Sequence, residues 1–381
     1  MRRQFVVLSS LFVSLTTLSG ATPAGQQPPS EPVRAIAAPA TPLPSEADSR
    51  DVSRFAFLVY GDTRGRRDGI DLQYEHSLVI DSMLSRIKLL AATPYAVRFA
   101  LQSGDAVVDG RSGRQWNTSF VPLIDRLTKA AGVPYFLAPG NHDVSSAATA
   151  DAPERQAGLH NYLNAMAELL PSNGSARRLS GYPTYAVGYG NIFVLVLDSN
   201  IAGDAKQLEW TKQQLDGLDR ARYVNVIALL HHPPFSSGPH GGAVLEQAAL
   251  LLRTRYLPLF RTHHVRIVFA GHEHLFEHWV ERYEDATGPH RLDHIVSGGG
   301  GAPLYAYTGE PDVRDYVRSN EANKVRLEHV VKPAADRGGN PHHYLVVRVD
   351  GDRLDVEVVG VDWGAAFQPY RSNTTGLQDR R

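Results

Sequence analysis

Short apolar runs separated by amphipathic stretches occupy the chain from residue 55 onward, and the two periodicities separate cleanly. Residues 55–60 (FAFLVY) read as a buried strand, and 73–90 place Leu78, Met83, Leu84 and Ile87 at helical spacing. Residues 97–101 predict a second strand, 116–129 a helix, 134–137 a third strand and 159–170 a further helix. Residues 185–187 and 192–197 predict a hairpin turning at Gly190-Asn191. Strands follow at 224–230, 265–269 and 292–296, with helices at 205–218 and 243–252 between them. Near the C-terminus 344–349 and 354–359 flank Asp350-Gly351, a hairpin signal. No internal repeat is present. Strands alternating with helices, with hairpins added, predict one α/β domain on a mixed sheet or a two-sheet sandwich.

The pattern before residue 55 is different. Arg2 and Arg3 precede an apolar run over 5–18, followed by the small residues Ser19, Gly20 and Ala21. A basic start, a short apolar stretch and a small-residue cleavage site predict a signal peptide over 1–21. The run falls short of the roughly 20 residues that a spanning helix needs, so no stable membrane anchor is expected after cleavage. The expected location is therefore exported, periplasmic or secreted, by the general secretory route or, given the order Arg2-Arg3-Gln4-Phe5-Val6, the twin-arginine one. Residues 22–52 carry seven prolines among Ala, Ser and Thr and predict an extended linker. The domain is expected over 53–365, with a polar tail at 366–381.

Composition narrows the chemistry. The 381 residues include 39 Lys+Arg against 40 Asp+Glu, and a balance that close argues against nucleic acid as a partner. There is no Cys, which removes disulfides, thiolate metal sites and thiol nucleophiles together. Any metal must sit on nitrogen and oxygen, which directs attention to the 16 His.

Those ligands fall where strands end. The first strand runs into Gly61-Asp62-Thr63-Arg64, the second into Gly104-Asp105, and the third into Gly140-Asn141-His142-Asp143. The run 224–230 ends in His231-His232-Pro233-Pro234, and 265–270 ends in Gly271-His272-Glu273-His274. In open α/β sheets that edge is where ligands bind. Gly-Asp after a strand is usually a turn, and His231-His232 alone could be a core pair. Five such motifs in order, each after a strand, are not coincidence.

This set resembles the calcineurin-like metallophosphoesterases, which include the purple acid phosphatases, over roughly residues 55–300. The resemblance implies a four-layer α/β/β/α sandwich of two mixed β-sheets around a dinuclear centre of divalent or trivalent ions: Mn, Fe, Zn or Co. By motif matching, Asp105 would bridge the two ions. Asp62 and His274 would bind the first ion; Asn141, His231 and His272 would bind the second, with His232 as the fallback for His231. A metal-activated hydroxide would attack phosphorus in a phosphorylated small-molecule substrate, with His142 as general acid or transition-state stabiliser. Asp143 is expected to orient His142.

Two departures qualify the match. Arg64 stands where the family commonly has His, and Val108 where the purple acid phosphatases have a Tyr ligand. His76 is the candidate replacement ligand, with a surface helix His as its alternative. Arg64 is the candidate for phosphate binding. Trp116, Asn117, Phe120 and Tyr305 could line a substrate pocket, and Gly298–301 form either a flexible rim or a plain loop. The expected activity is an exported phosphomonoesterase or phosphodiesterase. The alternatives are a non-catalytic phosphate- or partner-binding member with a degraded centre, and a mononuclear hydrolase.

Overall fold

The computed structural model describes residues 31–65, 71–241, 245–361 and 368–376, the last by backbone. The expected leader at 1–21 lies outside them. Along the strand Arg54–Tyr60 (β1) successive side chains take opposite faces, and this builds two cores. Ala56, Leu58 and Tyr60 pack with Val79, Met83, Phe120 and Leu127 of the helices over Tyr74–Leu90 and 113–130. Phe55, Phe57 and Val59 pack the other way, against Val194, Ile227 and Phe269 of a second sheet. Phe57 stacks on Phe99 with ring centroids 5.0 Å apart.

The other strands are β2 (Val97–Gln102), β3 (Tyr135–Leu137), β4 (Tyr185–Tyr189), β5 (Ile192–Val196), β6 (Asn225–Leu229) and β7 (Ile267–Ala270). They continue as β8 (Phe276–Asp285), β9 (Gly288–Ser297), β10 (Arg326–Val331), β11 (His342–Asp350), β12 (Arg353–Val361) and β13 (Gln368–Gly376). One sheet has the order β13-β12-β11-β1-β2-β3 and the other β10-β8-β9-β7-β6-β5-β4. β1, β2 and β3 are parallel, as are β5, β6, β7 and β9. A third core, with Phe193, Ala228 and Val268 against Trp210, Tyr256 and Phe260, covers the outer face of the second sheet. Helix, sheet, sheet and helix give the four layers and mixed sheets expected from the sequence.

Several boundaries move. The helix expected over 159–170 is Gln156–Ala165, and the one expected over 243–252 begins at Gln247 and continues to Thr262. That longer helix and the one over 113–130 each widen by a π-type turn just before a proline, Pro258 and Pro122. Proline lacks the donor for the i−4 carbonyl and its ring crowds it, so the turn opens.

Residues 31–52, expected within a linker, lie along the domain, without regular structure to residue 45 and as a hydrogen-bonded turn over 46–51. Val33 and Ile36 are buried in the helical core. The amides of Ile36, Ala37 and Ala40 donate to Ala165 O, Asp125 Oδ1 and Thr128 O at 2.8, 2.8 and 3.0 Å. Two apolar anchors among many prolines suffice, because proline has little chain entropy to lose on ordering. Residues 368–376, expected in a polar tail, instead pair antiparallel with β12 as β13, satisfying the open edge of that strand. No helix among the described residues is long and apolar enough to cross a membrane.

Candidate metal centre

The C-terminal ends of β1, β2 and β3 meet those of β6 and β7 between the two sheets, so the five motifs converge. Close approach demands the glycines that precede the polar residues. A Cβ on Gly104, whose φ is +104°, would stand 2.6 Å from Gly140 N; one on Gly271 would stand 2.2 Å from Asp62 Oδ2. Asp62, Asp105 and His272 themselves hold positive φ of 60°, 54° and 71°. Left-handed backbone at three side chains of one site is strain retained for position.

One ligand atom from each of Asp62, Asp105 and His274 lies within 4.8 Å of the others, and the same holds for His231, His232 and His272. In the first pocket His274 Nδ1 donates to Pro303 O at 2.7 Å, so Nε2 carries the lone pair; it lies 3.6 Å from Asp62 Oδ1. In the second, His231 Nδ1 donates to Ser103 O at 2.9 Å and His272 Nε2 to Glu246 Oε2 at 3.0 Å. Their inner nitrogens, 3.1 Å apart, therefore face each other as acceptors. Asn141 Oδ1 is 2.8 Å from His231 Nε2, and Asp105 Oδ1 is 3.4 Å from it. Four lone-pair atoms converge without a proton between them, an arrangement that calls for a cation.

Electrostatics agree. Burial lowers His231 to a pKa of about 3; burial and the Arg64 charge lower His274 to about 3, so both rings are neutral donors near pH 7. Burial and then the charge of Asp105 push Asp62 well above the usual carboxylate range. Asp105 is also raised by burial, but His231, His142 and Arg64 outweigh it and hold it low. Two buried carboxylates that cannot both ionise comfortably fit a site completed by positive charge. Oxygen and imidazole ligands without thiolate suit Mn, Fe, Co or Zn.

The model for calcineurin-like phosphoesterases matches residues 56–276, more than half of the chain. The chain belongs to that family. No curated protein matches the sequence. Among solved structures it is similar to the purple acid phosphatase PPD1 from yellow lupin (Lupinus luteus) seeds: TM-score 0.61, 16% identity, 85% of this chain and 53% of that one covered. The chain thus spans about half the length of the lupin protein, and at this identity the likeness shows the fold. It is also similar to GAP50, the anchor in the inner membrane complex of Plasmodium (TM-score 0.48, 15% identity, 84% of this chain and 88% of that one).

The choice between the adjacent His residues follows from hydrogen bonding. Ser199 Oγ accepts from the amides of His231 and His232 at 3.2 and 2.9 Å. Its own proton is then left for His232 Nδ1 at 2.9 Å, which puts the ring proton of His232 on Nε2. His231 is the better ligand.

His76 is not brought to the centre. Its Nδ1 bonds Gln73 Oε1 at 2.8 Å, its Nε2 lies 3.3 Å from Tyr60 Oη, and the ring stacks on Phe120. The helix that carries it covers the outer face of the first sheet, and although its start touches the ligand loops through Gln73 and Ala106 O, the His76 ring turns into the helical core. Asp143 does not orient the His142 ring either. Its carboxylate accepts from the amides of Ala106, Val107 and Gly140 at 2.8, 3.2 and 2.9 Å, tying two ligand loops together. His142 is positioned by its amide, 3.0 Å from Asp105 Oδ1, and by its Nδ1, 2.7 Å from Val108 O.

Arg64 points into the first pocket, with Nε 3.0 Å from Asp105 Oδ2 and Nη2 3.3 Å from His274 Nε2. Trp116 and Phe120 are core residues, and Asn117 binds Glu31 and Arg34. Of the four pocket candidates, Tyr305 belongs to the site, stacked on the His274 ring at 4.0 Å. Gly298–301 pack beneath the centre, where Gly300 N donates to Gly61 O at 2.8 Å.

Sequence reasoning missed Glu246 and His240. His240 Nδ1 lies 3.3 Å from Glu246 Oε1 and its ring 4.6 Å from that of His272, at the rim of the second pocket. The only available signal was their place in and beside the loop after β6. A cavity of about 710 Å³ opens beside this pocket, lined by Asn141, His272, Glu246, Leu251 and Arg255.

Proposed function

We propose that the protein is an exported, metal-dependent phosphoester hydrolase with a dinuclear centre held by Asp62, Asp105, Asn141, His231, His272 and His274. The observation that carries this reading is the proton inventory. Each of the three ligand histidines has its outer nitrogen committed to a fixed acceptor, so the inner lone pairs of His231 and His274 face Asp105 and Asp62, and that of His272 faces His231 Nε2. Bound there, divalent ions would polarise the phosphoryl group and acidify water.

The chain's own residues do the rest. Asp105 Oδ1 and Val108 O fix His142 through its amide and Nδ1, which leaves Nε2 as the nitrogen that faces a departing oxygen; only the imidazolium, protonated at both nitrogens, has a proton there to hand over. Asp143 braces the loops that carry Asp105 and Asn141. The cavity beside the second pocket is large enough for a small-molecule leaving group. Export rests on the leader signature at 1–21.

The test is hydrolysis of a panel of phosphomonoesters and phosphodiesters by the purified chain with Mn²⁺, Zn²⁺ or Fe²⁺, beside Asp105→Asn. Metal-dependent turnover lost in the variant is expected. An Asp105→Asn protein that keeps full activity would overturn the ligand assignment; no hydrolysis under any metal would favour the non-catalytic reading.

A further inference from the structure

The two pockets differ in what already sits against them. In both pockets the outer partners of the histidines are oxygens, Ser103 O for His231 and Pro303 O for His274 among them, but only the second has a carboxylate there, Glu246 behind His272. A carboxylate behind an imidazole raises its donor strength. The first pocket instead holds a fixed positive charge. Arg64, one residue past Thr63 in the loop leaving β1, reaches Asp105 Oδ2 and His274 Nε2, two of that pocket's three ligands. Its Nε is buried and lies 3.0 Å from the carboxylate without a hydrogen bond aligned to it, so the contact is one of charge.

We infer that Arg64 is a resident competitor for the first metal ion, so that the two pockets fill unequally: the second takes a divalent cation first and the first takes one at least ~10-fold more weakly. The inference rests on the metal-centre reading above and deepens it. A guanidinium does not deprotonate in proteins, so it cannot yield the pocket by becoming neutral. It must swing away from Asp105 and His274. Until it does, a divalent ion about 4 Å away meets a repulsion worth several powers of ten in binding. Swinging out recovers most of that, and a roughly tenfold deficit is the floor. The same substitution also removes a ligand, because an arginine cannot donate a lone pair where a histidine would. Loss of a ligand and gain of a cation act in the same direction; the lost ligand concerns the first pocket alone, and the charge weighs most on it, because Arg64 contacts Asp105 Oδ2 and His274 Nε2 whereas Asp105 Oδ1 faces the second.

Metal content, not turnover, reads this out. The full chain is stripped with chelator and dialysed against graded Mn²⁺, and bound metal is counted by elemental analysis. Two other groups, His264 with Asp285 and His290, and His240 with Glu246 and His272, could also take a cation, so the titration is made in a His240→Ala/His290→Ala background. The expected result is one ion per chain bound tightly and a second only at least ~10-fold higher in free Mn²⁺. Arg64→His, which restores a ligand, brings the two affinities together. Arg64→Gln, which removes only the charge, strengthens the weaker site and keeps the test intact should the histidine variant misfold. His272→Ala removes the tight ion. Two equal sites in the parent chain, or a weak site unmoved by either Arg64 variant, would overturn the inference and leave the metal-centre reading standing. A parent chain that binds no metal at all would overturn both.

Discussion

Asp143→Ala should unfold the protein earlier rather than merely slow it. The Asp143 side chain is 1% exposed and accepts three backbone N–H groups, from Ala106, Val107 and Gly140. Truncation orphans all three donors in a site that water reaches poorly, at about 1–3 kcal/mol each. Some relaxation of the loops recovers part of this, so the expected net loss is about 3–5 kcal/mol, the range for breaking a buried charged network. In a domain of this size about 1 kcal/mol moves the melting midpoint by roughly 1–2 °C, so the midpoint should fall by about 4–7 °C. Asp143→Asn keeps one acceptor but turns its NH₂ toward a backbone donor, and should fall between the two. The measurement is thermal unfolding by circular dichroism with chelator present, which removes any metal contribution. His142→Ala, measured alongside, should barely move the midpoint. If Asp143→Ala melts within about 2 °C of the parent and loses activity to the same degree as His142→Ala, then Asp143 acts through His142 and the brace argument is wrong.

Three further outcomes follow from the same geometry. His142→Ala should lower kcat by about 10²–10⁴ with bound metal unchanged, read by steady-state kinetics beside elemental analysis; a loss of metal would make it a ligand instead. Glu246→Gln weakens the acceptor behind His272 and should reduce affinity at the tight metal site by about 10–100-fold, measured by chelator competition; an unchanged affinity would reduce that contact to packing. Burial raises Glu277 to a pKa of about 7, although Ser236 and Ser237 hydrogen bonds oppose the rise. The folded chain therefore holds this proton more tightly than the unfolded one, and the stability it confers is present at acid pH and lost as pH rises toward 7 and beyond. The parent should melt lower at pH 8.5 than at pH 6, with about 1.4 kcal/mol less stability, the larger part of the loss having already occurred between pH 4.5 and 6, and Glu277→Gln should flatten that slope.

What the sequence made legible was apolar alternation ending in a chemical motif. β1 could be read because after Arg54 its six side chains are aromatic or aliphatic and buried on both faces, and Gly61-Asp62 marks its end. β8 could not. Its sequence FEHWVERYED reads as a polar surface, yet Glu277, His278 and Glu281 are buried. They are tolerated because partners arrive from elsewhere: Asp293 at 2.6 Å from His278, and Arg261 and His294 at 2.8 and 3.1 Å from Glu281. Such pairing is a property of the fold and leaves no local pattern. The candidate ligands show the same division. Six residues in motifs could be named from their neighbours, whereas the acceptors that set their tautomers are the carbonyls of Ser103 and Pro303 and a carboxylate on a different loop. His76 misled for a related reason: its place at the start of a helix left a ligand and a surface residue as the alternatives, and the structure makes it neither, burying the ring between Tyr60 and Phe120.

The backbone at the centre explains why stability and site pull against each other here. Of the five non-glycine residues with positive φ among those described, three are Asp62, Asp105 and His272. Each such conformation costs about 1–3 kcal/mol, and each follows a glycine without which the chain could not turn so close to its neighbours. The strands cannot relieve this strain by shifting, because a one-residue slip of β1 would move Phe55, Phe57 and Val59 into the opposite core. Register is therefore enforced by apolar burial on both sides of the first sheet, and the strained ends inherit their positions from it. The polar groups at those ends are then compensated only locally: Asp62 by the amide of His272 at 2.9 Å, and Asp105 by that of His142 at 3.0 Å and by the Arg64 charge. Read this way, Arg64 has a structural task besides its position in the first pocket. It offsets two buried carboxylates while the chain folds, before any cation arrives, and a chain with histidine at that position would depend on metal for the same compensation.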